Sequence, residues 1–163
     1  MRIIGIDPGL DTTGYGIIED ETFKVIEAGV IKTRCNTPIQ ERLNTIFASL
    51  SEIITEYRPK VLVLEKIFSH YKHPTTAILM AHARGAVCLA CGINKIHLVN
   101  YPSTRIKKAI TGNGHASKTQ VQKMVQGLLN LKEAPEPVDV SDALAMALCY
   151  CFIERKKRIG CIG

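Results

Sequence analysis

The chain has 163 residues, 46% of them hydrophobic, which is enough apolar material for one domain with a sizeable core. Its 21 lysines and arginines outnumber its 15 aspartates and glutamates, and the resulting formal charge of +6 favours a polyanionic partner. No apolar run approaches the roughly 18 residues of a membrane span, and the first residues lack a secretory signal pattern, so we expect a cytoplasmic protein with no membrane contact.

The first part of the chain predicts a run of strands followed by a helix. Short apolar segments bounded by turn residues predict three strands, from about Arg2 to Asp7, Thr13 to Glu19 and Phe23 to Thr33. Their connections are short enough for antiparallel hairpins. A spacing of three to four residues then predicts a helix that opens at Pro38, has Gln40 in the position of a capping box with Thr37, and ends before Pro59.

The rest of the chain alternates between strand and helix patterns. Buried strands are predicted at 61–64 and 96–99, and helices are predicted from Pro74 to Gly92, from Ser103, from Ser117 in a capping box with Gln120, and from about Asp139. The helix after Pro74 is apolar on nearly every side, so we expect it to be central. This order predicts an α/β fold with a mixed sheet that is flanked by helices.

Four carboxylates occur where this fold would bring them together. Asp7 and Glu65 each end a buried strand, and right-handed crossovers make those strands parallel, so both acids should lie at the carboxyl end of the sheet. Asp139 and Asp142 are three residues apart at the start of a helix and share one face. Turn formation or helix capping could explain any one of these acids alone. Together, they indicate a site for magnesium or manganese, which prefer oxygen ligands.

The middle of the chain is purely basic. No aspartate or glutamate occurs between Lys66 and Lys132. The basic residues of this span are Lys66, Lys72, Arg84, Lys95, Arg105, Lys107, Lys108, Lys118, Lys123 and Lys132. Such segregation of charge favours nucleic acid as the partner. A pair of metal ions held by clustered acids can hydrolyse a phosphodiester, so the combination predicts a nuclease.

Several stretches resemble the motifs of one known family. "GIDPGLDTTGYG", "LEKIF", "AHARGA", "TGNGHASKTQVQKMV" and "DVSDALAMAL" are similar, in the same order and over nearly the whole chain, to the motifs of the RuvC family of Holliday junction resolvases. The resemblance implies an RNase H-like mixed five-stranded sheet flanked by helices, with residues 1–154 as the nuclease domain and 155–163 as a basic tail. It also implies a homodimer that resolves four-way DNA junctions in homologous recombination and DNA repair. Paired symmetric nicks would leave 5′-phosphate and 3′-hydroxyl ends.

The resemblance also assigns roles to individual residues. The implied catalytic and metal-binding acids are Asp7, Glu65, Asp139 and Asp142, with two Mg²⁺ ions in each active site and Mn²⁺ as a substitute. The implied DNA-binding residues are Phe68, Lys107 and Lys118, of which Phe68 would enter among the bases near the junction centre. Arg84 is expected to be structural rather than DNA-binding. The implied partners are the four-way junction and the branch-migration proteins RuvA and RuvB.

Two other functions fit parts of the sequence. A YqgF-like RNase H-fold nuclease that acts on ribosomal RNA precursors would share the "GIDPG" start, but that family lacks the "TGNGHASKTQVQKMV" stretch. A non-catalytic junction-binding module is favoured by the basic middle but not by the four acids. A four-way junction, a linear duplex and a structured RNA, each offered with and without magnesium, would discriminate among these functions.

Overall fold

The computed structural model describes residues 1–66 and 74–160. In that part of the chain, one mixed sheet is formed by β1 (Arg2–Asp7), β2 (Thr12–Glu19), β3 (Val25–Lys32), β4 (Val61–Glu65) and β5 (His97–Tyr101). The strand order is β3-β2-β1-β4-β5. β1, β2 and β3 pair antiparallel, whereas β4 runs parallel to β1 and β5 runs parallel to β4. The predicted five-stranded mixed sheet is confirmed, and so is the parallel pairing of the strands that end at Asp7 and Glu65.

The helices follow the predicted order. They are α1 (Ile39–Tyr57), α2 (Pro74–Ile93), α3 (Ser103–Thr111), α4 (Lys118–Leu128) and α5 (Val138–Arg158). The capping box of Ser117 with Gln120 is present at the start of α4, as predicted. The capping box predicted for α1 is wrong, because Pro38 is the N-cap and the Thr37 hydroxyl donates to the carbonyl oxygen of Arg34 at 2.8 Å. α5 runs without a break through residue 154, so the predicted division there falls inside a helix.

The two faces of the sheet are covered by different helices. α1 and α2 pack on the face that carries Ile4 and Leu62, whereas α3, α4 and α5 pack on the face that carries Ile3 and Val63. Successive side chains of a strand point to opposite faces. Asp7 therefore continues the odd-numbered series of β1 towards α5.

The prediction that α2 lies at the centre of the fold is wrong. Only 22% of its most apolar stretch is buried, although its length and composition would suit a membrane span. Its buried side packs in one cluster with α1 and the sheet. Its opposite side leaves Ile78, Leu89 and Ile93 between 57% and 59% exposed. An apolar helix was correctly predicted, but the sheet and α1 cover only one side of it.

Candidate active site

The sequence left open whether Asp7 belongs to a turn or to a strand. The structure places it in the strand. Asp7 is the last residue of β1, and the connection to β2 follows it. The Thr13 hydroxyl closes this connection by donating to the carbonyl oxygen of Gly9 at 2.7 Å. Asp11 lies in the connection, with its side chain 80% exposed and paired with Arg42 of α1. The two acids of this segment therefore have different environments.

A cleft opens at the carboxyl ends of β1 and β4. Three of the four predicted acids line it: Asp7 from β1, Glu65 from β4 and Asp142 from α5. β1 and β4 are paired up to Ile6 and Leu64, so Asp7 and Glu65 stand one residue beyond the last pair. The predicted meeting of strand ends and the α5 acid is thus realised in one cleft.

Asp139 lies at the edge of this acid group. It is in the first turn of α5, and its backbone lies against Gly14, the residue that pairs with Asp7 across β1 and β2. It does not appear among the cleft-lining residues, but its negative charge contributes to raising the pKa of both Asp7 and Asp142. Asp139 therefore belongs to the same electrostatic group.

The pKa of Asp7 shows that ionisation of this carboxyl is unfavourable in its surroundings. Burial raises the pKa of Asp7 from 3.8 to about 7, and the negative charges of Asp142 and Asp139 add to the increase, whereas Lys118 opposes it. A carboxylate that was placed only for stability would gain opposite charges or hydrogen bonds instead. Such perturbation in a cleft is typical of functional sites.

The other two cleft acids are perturbed in the same direction. Burial raises the pKa of Glu65, and a hydrogen bond from Ser103 is the largest opposing influence. Burial also raises the pKa of Asp142, and the ammonium of Lys118, 3.5 Å from its carboxylate oxygen Oδ2, is the main influence in the opposite direction. For both acids, the neighbouring groups therefore offset only part of the increase in pKa that burial causes.

The donor chemistry of the cleft fits a hard divalent cation, because every acidic ligand it offers is a carboxylate oxygen. In residues 1–66 and 74–160, however, no three His, Cys, Asp or Glu side chains meet at a single point where they could hold one ion. Lys118 instead supplies a positive charge next to Asp142. The cleft thus offers carboxylate ligands whose negative charge is only partly balanced by neighbouring groups. In the described residues these ligands do not surround a single point.

Basic residues share the cleft with the acids. Lys107 of α3 and Lys118, the first residue of α4, both line it, as does Lys66 directly after β4. The structure therefore brings both predicted DNA-binding lysines close to the acids. The prediction for Phe68 falls outside the described residues.

Two further residues lie next to Glu65 in the cleft, and the sequence did not predict a place in the site for either of them. Ser103 lines the cleft and lowers the pKa of Glu65, and the sequence marked it only as the start of a helix. Arg84, expected to be structural, lines the cleft and donates from Nη1 to the backbone oxygen of Glu65 at 2.6 Å. Its Nη2 donates to the side-chain oxygen of Asn100 in β5. These contacts join segments far apart in the chain, which local patterns do not reveal.

The comparisons with known proteins agree on one family. The family described as "Crossover junction endodeoxyribonuclease RuvC" matches residues 3–150. The chain belongs to the RuvC family. Among curated relatives, the RuvC of Rhodopirellula baltica is 49% identical over 153 residues, which cover 93% of this chain and 86% of the relative. The RuvC of Alkaliphilus metalliredigens is 44% identical over 152 residues and 92% of both chains.

A solved structure of a RuvC protein has the same fold. Thermus thermophilus RuvC, in complex with a Holliday junction substrate, is 34% identical, with a TM-score of 0.88 over 96% of each chain. The predicted RNase H-like resolvase fold and the predicted family are therefore confirmed, and the chain is a nuclease of this family. RuvC nucleases are metal-dependent enzymes.

Proposed function

We propose that this chain is a structure-specific endodeoxyribonuclease that resolves Holliday junctions in homologous recombination and DNA repair. The observation that carries the proposal is the cleft in which Asp7, Glu65 and Asp142 lie beside Lys107 and Lys118, in a chain of the RuvC family. Two symmetric nicks across the junction would leave 5′-phosphate and 3′-hydroxyl ends. The YqgF-like function is not favoured, because the family match covers residues 3–150.

The proposed catalytic and metal-binding residues are Asp7, Glu65, Asp139 and Asp142. We propose that they hold two Mg²⁺ ions in each active site, with Mn²⁺ as a substitute, since both ions prefer carboxylate ligands. When bound, such ions stabilise the charge that develops on the phosphate and make water a better nucleophile. The raised pKa values of Asp7, Glu65 and Asp142 support the assignment, because an added positive charge would relieve the cost of their ionisation.

The chain's own basic residues would hold the substrate. Lys107 and Lys118 place ammonium groups within the acid-lined cleft, where they can bind the phosphates next to the scissile bond. The Lys118 side chain is 75% exposed, and its ammonium lies 3.5 Å from the Asp142 carboxylate, so it can exchange this long contact for one with a phosphate. Phe68 is proposed to stack among the bases near the junction centre, on the basis of the family resemblance alone.

We propose that the protein acts as a homodimer through the exposed side of α2. Two symmetric nicks need two active sites, and α2 exposes Ile78, Leu89 and Ile93 to solvent. In the described part of the chain nothing lies within 4 Å of a Cβ built on Gly85, which sits between these residues. A glycine inside a helix costs about 1 kcal/mol relative to alanine, and a closely approaching second helix is a reason to keep one.

The remaining partners are proposed from the family resemblance. These are RuvA and RuvB, the branch-migration proteins, which would deliver junctions to the dimer. We propose a cytoplasmic location, where these partners and the DNA substrate are found.

The experiment that tests the proposed function offers purified protein three labelled substrates: a four-way junction, a linear duplex of the same sequence and a structured RNA. Each is incubated with magnesium and with chelator. We expect paired symmetric nicks in the junction only, and only with magnesium. Cleavage of the RNA instead would favour the YqgF-like function. Junction binding without any cleavage in magnesium or manganese would favour the non-catalytic module.

A further inference from the structure

Three of the four paired sheet residues beneath the start of α5 are glycines. Gly14 and Gly16 of β2 face α5, and their partners across the antiparallel pair are Asp7 and Gly5 of β1. A Cβ built on Gly14 would lie 2.2 Å from the backbone oxygen of Asp139 and 2.8 Å from its Cβ. These distances are far below van der Waals contact, so the first turn of α5 occupies the space where a side chain would be.

Position 14 needs a glycine because there is no room for a side chain, and not because its backbone torsions exclude other residues. Among the described glycines, only Gly112 and Gly160 have a positive φ. An alanine could therefore adopt the backbone torsions of Gly14, and only the approach of α5 would oppose it. The atoms that would clash are mainly the backbone oxygen and carbon of Asp139, which cannot move as easily as the end of a flexible side chain.

We infer that Gly14 is a positioning residue, which sets how far the Asp139 carboxylate reaches towards Asp7. The first turn of α5 rests directly on β2 at the position paired with Asp7, and this brings Asp139 into the acid group. A side chain at residue 14 would lift that turn away from the sheet. The inference rests on the proposed function, because it gives Asp139 its role, and it adds the residue that places this acid.

The geometry of the strand pair supports this placement. The backbone of Asp139 lies against Gly14, and Gly14 pairs with Asp7, so the first turn of α5 is held beside the strand end that carries Asp7. Coulomb energy falls with distance, and a shift of about 1 Å in a catalytic group can cost about 100-fold in rate. A small displacement at Gly14 would therefore be measurable.

Gly16 offers a matched control on the same strand and the same face. A Cβ at Gly16 would meet the side chain of Leu144, 2.6 Å from Cδ2 and 2.7 Å from Cγ, before it meets backbone at 3.3 Å. Leu144 lies in the buried core, further along α5 than either acid. The change Gly16→Ala thus disturbs the same helix and sheet contact, away from Asp139.

The test compares Gly14→Ala, Gly16→Ala and the parent protein. Thermal melting with increasing magnesium reports cation binding without catalysis, and junction cleavage at saturating DNA reports kcat. We expect both variants to melt at lower temperature than the parent. Only Gly14→Ala should need about fivefold more magnesium for the same stabilisation and cut about tenfold more slowly or worse. If the two variants agree within twofold in both measurements, the inference is wrong.

A double variant shows whether Gly14 acts through Asp139. In an Asp139→Asn background, Gly14→Ala should cause no further loss of cleavage or magnesium response beyond that of Gly16→Ala. A full additional loss would contradict the inference. If Gly14→Ala does not fold, Asp139→Glu tests the same reach with the glycine retained. The longer side chain should then cut at least about tenfold more slowly, and a rate within twofold of the parent would overturn the inference.

These outcomes are distinct from failure of the proposed function. If the parent protein does not cut junctions in any divalent cation, the proposed function is wrong. The magnesium-dependent melting of the two glycine variants then still decides whether Gly14 places an acid that binds the cation.

Discussion

The guanidinium of Arg84 holds the backbone of Glu65, with Nη1 2.6 Å from the Glu65 carbonyl oxygen. Its second nitrogen, Nη2, donates to the side chain of Asn100, so one residue of α2 ties β4 to β5 at the edge of the cleft. A planar guanidinium can make both bonds at once in fixed directions, which a lysine cannot. Because the bonds reach the backbone of Glu65, they fix the point from which its carboxylate extends.

Arg84→Lys should therefore lower kcat for junction cleavage by about 10- to 100-fold, with a much smaller change in junction affinity. Loss of the two hydrogen bonds should also lower the free energy of unfolding by about 1 to 3 kcal/mol. Arg105→Lys is the control, since Arg105 stacks on the ring of Tyr101 and is not among the residues that line the cleft. Equal kcat values for the two variants would show that Arg84 does not position Glu65.

Much of the fold follows from local patterns in the sequence. Short apolar segments bounded by turn residues marked the strands, a spacing of three to four marked the helices, and the right-handed crossover rule placed Asp7 and Glu65 at one end of the sheet. The prediction that the acids meet depended on this strand and helix assignment and on the crossover rule. The structure brings Asp7, Glu65 and Asp142 into one cleft for that reason.

Other features depend on tertiary contacts and could not be predicted. α2 is apolar all round, so its pattern did not reveal that the sheet and α1 would cover only one side. The α1 cap differed because Thr37 bonds Arg34 instead of the helix. The contact of Arg84 with Glu65 and the contact of Gly14 with Asp139 join distant segments, and neither has a local signature.

Asp7→Asn should separate junction binding from cleavage. The amide keeps the shape of the side chain but is a poor ligand for a hard dication, so nicking should fall by about 100-fold or more. Junction affinity in chelator should stay level or rise, because a negative charge next to DNA phosphate is removed. Gel-shift and cleavage assays on one preparation measure both. Asp11→Asn is the control, since Asp11 pairs with Arg42, and it should cut at close to the parent rate.

The stability of the metal-free protein should depend on pH through Asp7. Its pKa is raised from 3.8 to about 7, so the folded state binds this proton more tightly than the unfolded chain does. Stability is therefore lost as pH rises from about 4 to 7, by at most about 4 kcal/mol. Asp7→Asn should melt at higher temperature than the parent at pH 8, and the difference should vanish near pH 4. Equal melting temperatures at pH 8 would contradict the raised pKa.

Lys107 and Lys118 should account for part of the salt dependence of junction binding. Each lysine that neutralises a phosphate releases a counterion, so Lys118→Ala or Lys107→Ala should reduce the slope of log affinity against log salt by about one. Lys132→Ala removes the same charge from a residue that does not appear among those lining the cleft, and it should leave the slope unchanged. Binding titrations at four or five salt concentrations measure the slopes. If Lys118→Ala and Lys132→Ala have the same slope, Lys118 does not contact phosphate.

The exposed side of α2 should control the oligomeric state. Leu89 is 57% exposed on α2, and Leu89→Glu would place a charge in the proposed dimer contact, where burying it without a partner is costly. Sedimentation should find the parent as a dimer and Leu89→Glu as a folded monomer that no longer makes paired nicks. Met124→Glu is the control, because Met124 is 42% exposed on α4, which packs on the other face of the sheet. A parent that is monomeric with junction bound, or a dimeric Leu89→Glu, would show that α2 does not form the contact.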